Sequence, residues 1–181
     1  MTLTPMTNLA SIAQSQGVKY FSLAFITADS NGQPSWGGYL PDEVNGGAFD
    51  QAIRGQINAL RGLGGDVVPS FGGAAGQELA QVITSVPTLT NVYQSVINAY
   101  GLTRVDFDIE GAAVADHASI DRRSQALAAL QANASAQGKA LQVTFTLPVL
   151  PSGLTADGLY VLQSALKYGV KITTVNVMAM D

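Results

Sequence analysis

Three acids stand at alternate positions in the stretch GLTRVDFDIEG (residues 101–111): Asp106, Asp108 and Glu110, interleaved with Val105, Phe107 and Ile109. The chain is only 12% charged, so this concentration of like charge asks for a chemical reason. In a β-strand successive side chains alternate faces, and those on one face lie about 6.6 Å apart along the strand. The acids therefore share one face and the apolar residues the other. Adjacent carboxylates withdrawn from water cannot all ionise, because like charge and lost hydration each raise a carboxyl pKa. At least one of them holds a proton near neutrality. A carboxylic acid kept protonated beside a carboxylate is the reagent that general-acid catalysis requires. Glu110 lies nearest the C-terminal end of the strand, the end at which barrel enzymes place their chemistry, so it is the expected proton donor with Asp108 as its partner. Two other readings use the same residues: an amphipathic strand with its acids in water, and a hard-cation site for magnesium or calcium. A strand with one exposed face belongs at a sheet edge, whereas this one falls mid-chain among several strands. A calcium loop needs a turn and a glycine spacing that the stretch lacks, so no metal is expected.

Composition removes other chemistries. There is no cysteine, which excludes thiol nucleophiles, thiolate metal sites and disulfides. His117 is the single histidine; it cannot build a zinc site, and it reads as a residue at a loop or helix start. A net charge of −4 with scattered basic residues leaves no footprint for nucleic acid. The one basic pair, Arg122-Arg123, reads as the solvated face of a helix. No apolar run reaches the 18–20 or so residues of a membrane span. GLGGD (62–66) and FGGAAG (71–76) are not phosphate loops, since neither ends in Gly-Lys-Ser/Thr. Gly72 and Gly73 are read instead as allowing a close backbone turn at a strand end.

The elements that must position the acids alternate along the chain. Apolar periodicity and β-branched or aromatic runs predict helix 5–16, strand 18–27, a Gly/Pro/Asn-rich loop to about residue 47, and helix 48–62 with Ile53, Ile57 and Leu60 on one stripe. Strand 67–71 follows, then a helical stretch over 76–100 interrupted near Pro87, strand 104–110, helix 118–136, strand 141–148, helix 156–168 and strand 172–180. Repeated strand–helix order implies parallel strands joined by right-handed crossovers. No linker divides the chain, and one domain is expected. Two architectures compete: a five-stranded doubly wound sheet, complete at this length, and a (β/α)8 barrel, which needs eight strands. A chain that opens on a helix and closes within a strand favours a piece of the barrel, with about five to six βα units.

VDFDIEG, preceded by a strand ending PSFGG and followed by TFTLP and VNVMAMD, resembles the family-18 glycoside hydrolases, in their bacterial and archaeal chitinase branch. The family pattern D-x-x-D-x-D-x-E matches at Asp106, Asp108 and Glu110, with Thr103 at its first position, and S-x-G-G matches at Ser70, Gly72 and Gly73. The resemblance implies an incomplete (β/α)8 barrel over 1–181, a partial catalytic domain without the first strand and the last two. It implies hydrolysis of β-1,4-linked N-acetylglucosamine in chitin with retention, assisted by the substrate's own acetamido group. Glu110 would be the general acid, Asp108 would hold the acetamido group, and Asp106 would share a proton with Asp108. Ser70 would bond the acid cluster, with Gly72 and Gly73 beside it, and Met178 and Asp181 would line the sugar subsite. Trp36 reads either as a stacking platform at the cleft rim or as a locally packed loop residue. The implied partner is chitin or a chitooligosaccharide, with no cofactor, no metal and no membrane, and the implied location is extracellular. The alternative is a non-catalytic chitin-binding protein on the same scaffold; retention of Glu110 argues for the enzyme.

Overall fold

The computed structural model describes residues 8–180. Helix α1 (Leu9–Gln16) leads to strand β1 (Tyr20–Ala28), the short β2 (Pro34–Trp36) and a 3-10 turn at Leu40–Asp42. Next come α2 (Ala48–Gly62), β3 (Asp66–Gly72), α3 (Leu79–Val82), α4 (Val86–Tyr100) and β4 (Arg104–Asp108). A 3-10 turn at Gly111–Ala115, α5 (His117–Ala136), β5 (Gln142–Leu150), β6 (Gly153–Leu154), α6 (Ala156–Lys167) and β7 (Ile172–Met178) complete the order. The predicted stripe of α2 is buried at Ile53, Ile57 and Leu60. Polar caps start the later helices: the side chains of Ser85, Asp116 and Thr155 accept backbone N–H groups at the heads of α4, α5 and α6. Pro87 does not interrupt a helix. It sits in the first turn of α4, where its missing N–H is one the helix could not have used. The break falls just before, between α3 and α4. The expected loop to residue 47 also contains the hairpin strand β2, which pairs antiparallel with β1.

Strand order decides between the two architectures. β1, β3, β4, β5 and β7 lie side by side in chain order and pair in parallel; β2 and β6 are antiparallel additions to β1 and β5. A doubly wound sheet reverses direction at a switch point and carries helices on both faces. Here every step goes the same way, so right-handed crossovers set all the helices on one face. The other face is the inside of an arc, and the sheet does not close on itself. The fold is thus an incomplete (β/α)8 barrel.

The register aligns like with like across this arc. Phe71, Phe107 and Phe145 are paired neighbours on β3, β4 and β5 and are buried beneath the helices. The Phe71 and Phe107 rings stack at 5.0 Å, and Tyr93 of α4 meets both edge-on at 5.2 Å. Burying such a ring stabilises the fold by roughly 2–3 kcal/mol over leaving it in water. The inward face carries Ser70, Asp106 and Thr144 in one row and Gly72, Asp108 and Thr146 in the next. The amphipathic alternation of β4 is thus resolved, with its apolar side under the helices and its acids inside the arc.

Arg122-Arg123 is not a solvated face. Arg123 is buried against Glu78, and Arg122 donates to the backbone carbonyl of Ala80. Residue spacing puts both on a helix but carries no sign that the Glu78 carboxylate, which caps α3, lies opposite Arg123.

Candidate active site

The site begins with close contact between two backbones. Gly73 N–H donates to the carbonyl of Asp108 at 3.0 Å, joining the end of β3 to the end of β4. A Cβ on Gly72 would lie 2.1 Å from that same carbonyl oxygen, and its φ is +100°. A Cβ on Gly73 would lie 2.7 Å from the Phe25 ring at φ +87°. Both space and backbone conformation exclude an L side chain at either position.

Asp106 and Asp108 are buried on the inward face, and Glu110 follows, half-buried, at the head of the 3-10 turn. The β4–β5 ladder continues past β4 through Ile109 N–H to the Thr146 carbonyl at 3.0 Å, which keeps Glu110 in phase with the other acids. Ser70 Oγ donates to Asp106 Oδ2 at 2.6 Å, and Thr146 Oγ1 donates to the Asp106 carboxylate at 3.0 and 3.2 Å. Thr146 in turn accepts from Asn176 Nδ2 at 3.1 Å. Every one of these side-chain partners donates toward Asp106, which suits a carboxylate. Burial nonetheless pushes the Asp106 pKa up, against the lowering effect of Ser70, Thr146 and the Phe107 backbone.

Asp108 differs. Loss of hydration first, then the charges of Glu110 and Asp106 and a hydrogen bond with Glu110, raise its pKa from 3.8 to about 7. Its Oδ1 is buried and receives no hydrogen bond among the described residues. Asp108 is thus the carboxyl of the row that keeps its proton most readily as pH approaches neutrality. Chemically this is an acid–base pair backed by a fixed carboxylate. Among the described residues no group of three or more His, Cys, Asp or Glu side chains is arranged to hold a metal ion.

Of the residues expected at the site, the structure gathers Ser70, Gly72, Gly73, Asp106, Asp108 and Glu110. Met178 is buried on the inward face at the end of β7, where it pairs with Pro148. Asp181 lies outside the described residues. Trp36 is corrected: it is 5% exposed, and its Nε1 donates to the Tyr100 hydroxyl at 2.8 Å. Tyr100 donates to Asp50 at 2.5 Å, and Asp50 pairs with Arg54 at 2.6 Å. The indole fastens β2 to α2 and α4 and offers no face to a sugar. His117 starts α5, stacked on Tyr160 at 3.7 Å and away from the row. Thr146 and Asn176 were not anticipated. The signal was present as polar residues in phase with the acids, TFT on β5 and TVN on β7.

Comparison with known proteins follows the same lines. No protein-family model matches the chain. It is 40% identical over 182 residues to a probable bifunctional chitinase/lysozyme of Escherichia coli K12, covering 99% of this chain and 20% of that protein. It is 37% identical over 180 residues to endochitinase 11 of Metarhizium anisopliae, covering 99% of this chain and 33% of that one. The crystal structure of the catalytic domain of a hyperthermophilic chitinase from Pyrococcus furiosus superposes with a TM-score of 0.83 at 33% identity, over 100% of this chain and 55% of that one. The chain thus spans between a fifth and about half of these relatives. The similarity to these chitinases extends along the whole length of the chain.

Proposed function

We propose that residues 1–181 form part of a family-18 chitinase catalytic domain, in which further strands continue the arc into a closed barrel, and that Glu110 is the general acid. The observation that carries this reading is the buried inward-facing row of Asp106 and Asp108, backed by Ser70 and Thr146, with Glu110 following it at the strand end. The substrate class is the β-1,4-linked N-acetylglucosamine polymer, lying across the C-terminal strand ends. Glu110 protonates the glycosidic oxygen as the bond to the anomeric carbon breaks. The acetamido carbonyl of the same sugar attacks that carbon and gives an oxazolinium ion, which water opens with retention. Asp108 holds the acetamido group through its carboxyl oxygens. Asp106, with Ser70 and Thr146 donating to it, keeps a negative charge behind the developing cation. Met178 lines the sugar subsite. Among the described residues no helix is long and apolar enough to cross a membrane. Polymeric chitin does not cross a membrane, so the enzyme would meet it outside the cell.

The test is hydrolysis of chitotetraose by the full-length protein, with product anomers followed by NMR. E110Q is expected to lower kcat by about 10²–10⁴-fold, the usual contribution of a general acid, with the β-anomer formed first. Undiminished turnover in E110Q would remove Glu110 from the chemistry.

A further inference from the structure

Glu78 and Arg123 form an ion pair shut off from water. Their side chains are 2% and 1% exposed, and Arg123 Nη2 stands 2.7 Å from Glu78 Oε2. Both carboxylate oxygens are fully engaged. Oε1 accepts from the Tyr93 hydroxyl at 2.9 Å and from Arg123 Nε at 3.3 Å. Oε2 accepts from Arg123 Nη2 and from the Ala80 backbone N–H at 3.0 Å. Arg123 Nη1, also buried, finds no acceptor among the described residues. Such a pair is a poor device for stability alone. Desolvating two charges costs about as much as their attraction returns, and apolar side chains of like volume often do better.

Its location in the chain suggests another purpose. Glu78 closes the loop that follows Gly72 and Gly73. Arg123 lies early in α5, just after the loop that follows Glu110. The first loop and the start of α5 flank the acid row, and the ion pair ties the end of that loop to α5. A Cβ on Gly72 would lie 3.7 Å from Glu78 Cγ, so Glu78 packs behind the backbone that meets Asp108. Tyr93 presses edge-on against Phe71 and Phe107, the strand neighbours of Ser70, Gly72, Asp106 and Asp108. Arg122 adds a bond from α5 to the carbonyl of Ala80 on α3.

We propose that the buried Arg123–Glu78–Tyr93 network is the positioning element of the acid row: it holds the ends of β3 and β4 against α5 so that Asp108 and Glu110 stay side by side on the inward face. Its catalytic meaning rests on the chitinase reading above, but the geometry it sets can be read without turnover. The measurement is a carboxyl ¹³C NMR titration of Asp108 in the 181-residue chain, comparing wild type with R123M, R123K and E78M/R123M. In R123M and the double variant the Asp108 midpoint is expected to fall from about 7 by about one pH unit or more, because Glu110 moves off and water enters. R123K keeps the charge without the planar fork and is expected to fall between. If R123M does not fold, the double variant decides, since it leaves no unpaired charge in the core. An unchanged Asp108 midpoint in a folded Met variant overturns the proposal, and so does failure of both Met variants to fold, which would assign the network to the core alone. Failure of the chitinase reading looks different: wild type would not hydrolyse chitotetraose while the midpoint still depended on Arg123.

Discussion

Replacing Asp108 by Asn tests the acid row through stability. The folded chain raises the Asp108 pKa from 3.8 to about 7, so it binds that proton more tightly than the unfolded chain does. Stability contributed by the bound proton is complete below about pH 3.8 and is lost as pH rises through about 7. At about 1.36 kcal/mol per pH unit the full effect is at most about 4 kcal/mol. Water reaching the row from the open side of the arc screens the charges, and about 2 kcal/mol is expected to remain. D108N keeps the shape and removes the titration. Urea unfolding followed by circular dichroism at fixed ionic strength, from pH 4 to 8, gives the stability of each protein. The difference, variant minus wild type, should climb by about 2 kcal/mol across that range, most of it below about pH 6. Curves that stay parallel would refute the claim that burial and the neighbouring acids hold a proton on Asp108.

G72A should cost more than about 2 kcal/mol in the same assay, because the added methyl collides with the Asp108 carbonyl at a φ that disfavours L residues; a loss below 0.5 kcal/mol, about the scale of a neutral surface change, would show that β3 and β4 can separate there freely. W36F should lower stability by about 1–3 kcal/mol through the lost bond to Tyr100. Because the indole is buried, chitooligosaccharide should leave the fluorescence of this single tryptophan unchanged, and a ligand-dependent shift would return Trp36 to the cleft.

Much of the fold follows from local pattern. The strands and helices fall close to where apolar period and turn residues put them, and the alternation VDFDIE already sets three acids on one face. The glycines of SFGG mark a close backbone approach before any partner is known. Other features depend on residues distant in the chain. Trp36 looks like an exposed loop aromatic until Tyr100, Asp50 and Arg54 are seen around it. Arg123 looks solvated until Glu78 is found opposite.

The sequence by itself therefore determined which side chains share a strand face, and with it the identity of the candidate proton donor and its partners. Alternation and amphipathic period are relations between near neighbours, and covalent geometry alone enforces them. Tertiary structure decided that the strands step one way around an arc, that the acid face turns inward, and that Thr146 and Asn176 join Ser70 in supporting Asp106. It also raised Asp108 to about 7, because hydration is lost and like charges are confined only when strands far apart in the chain close over one another.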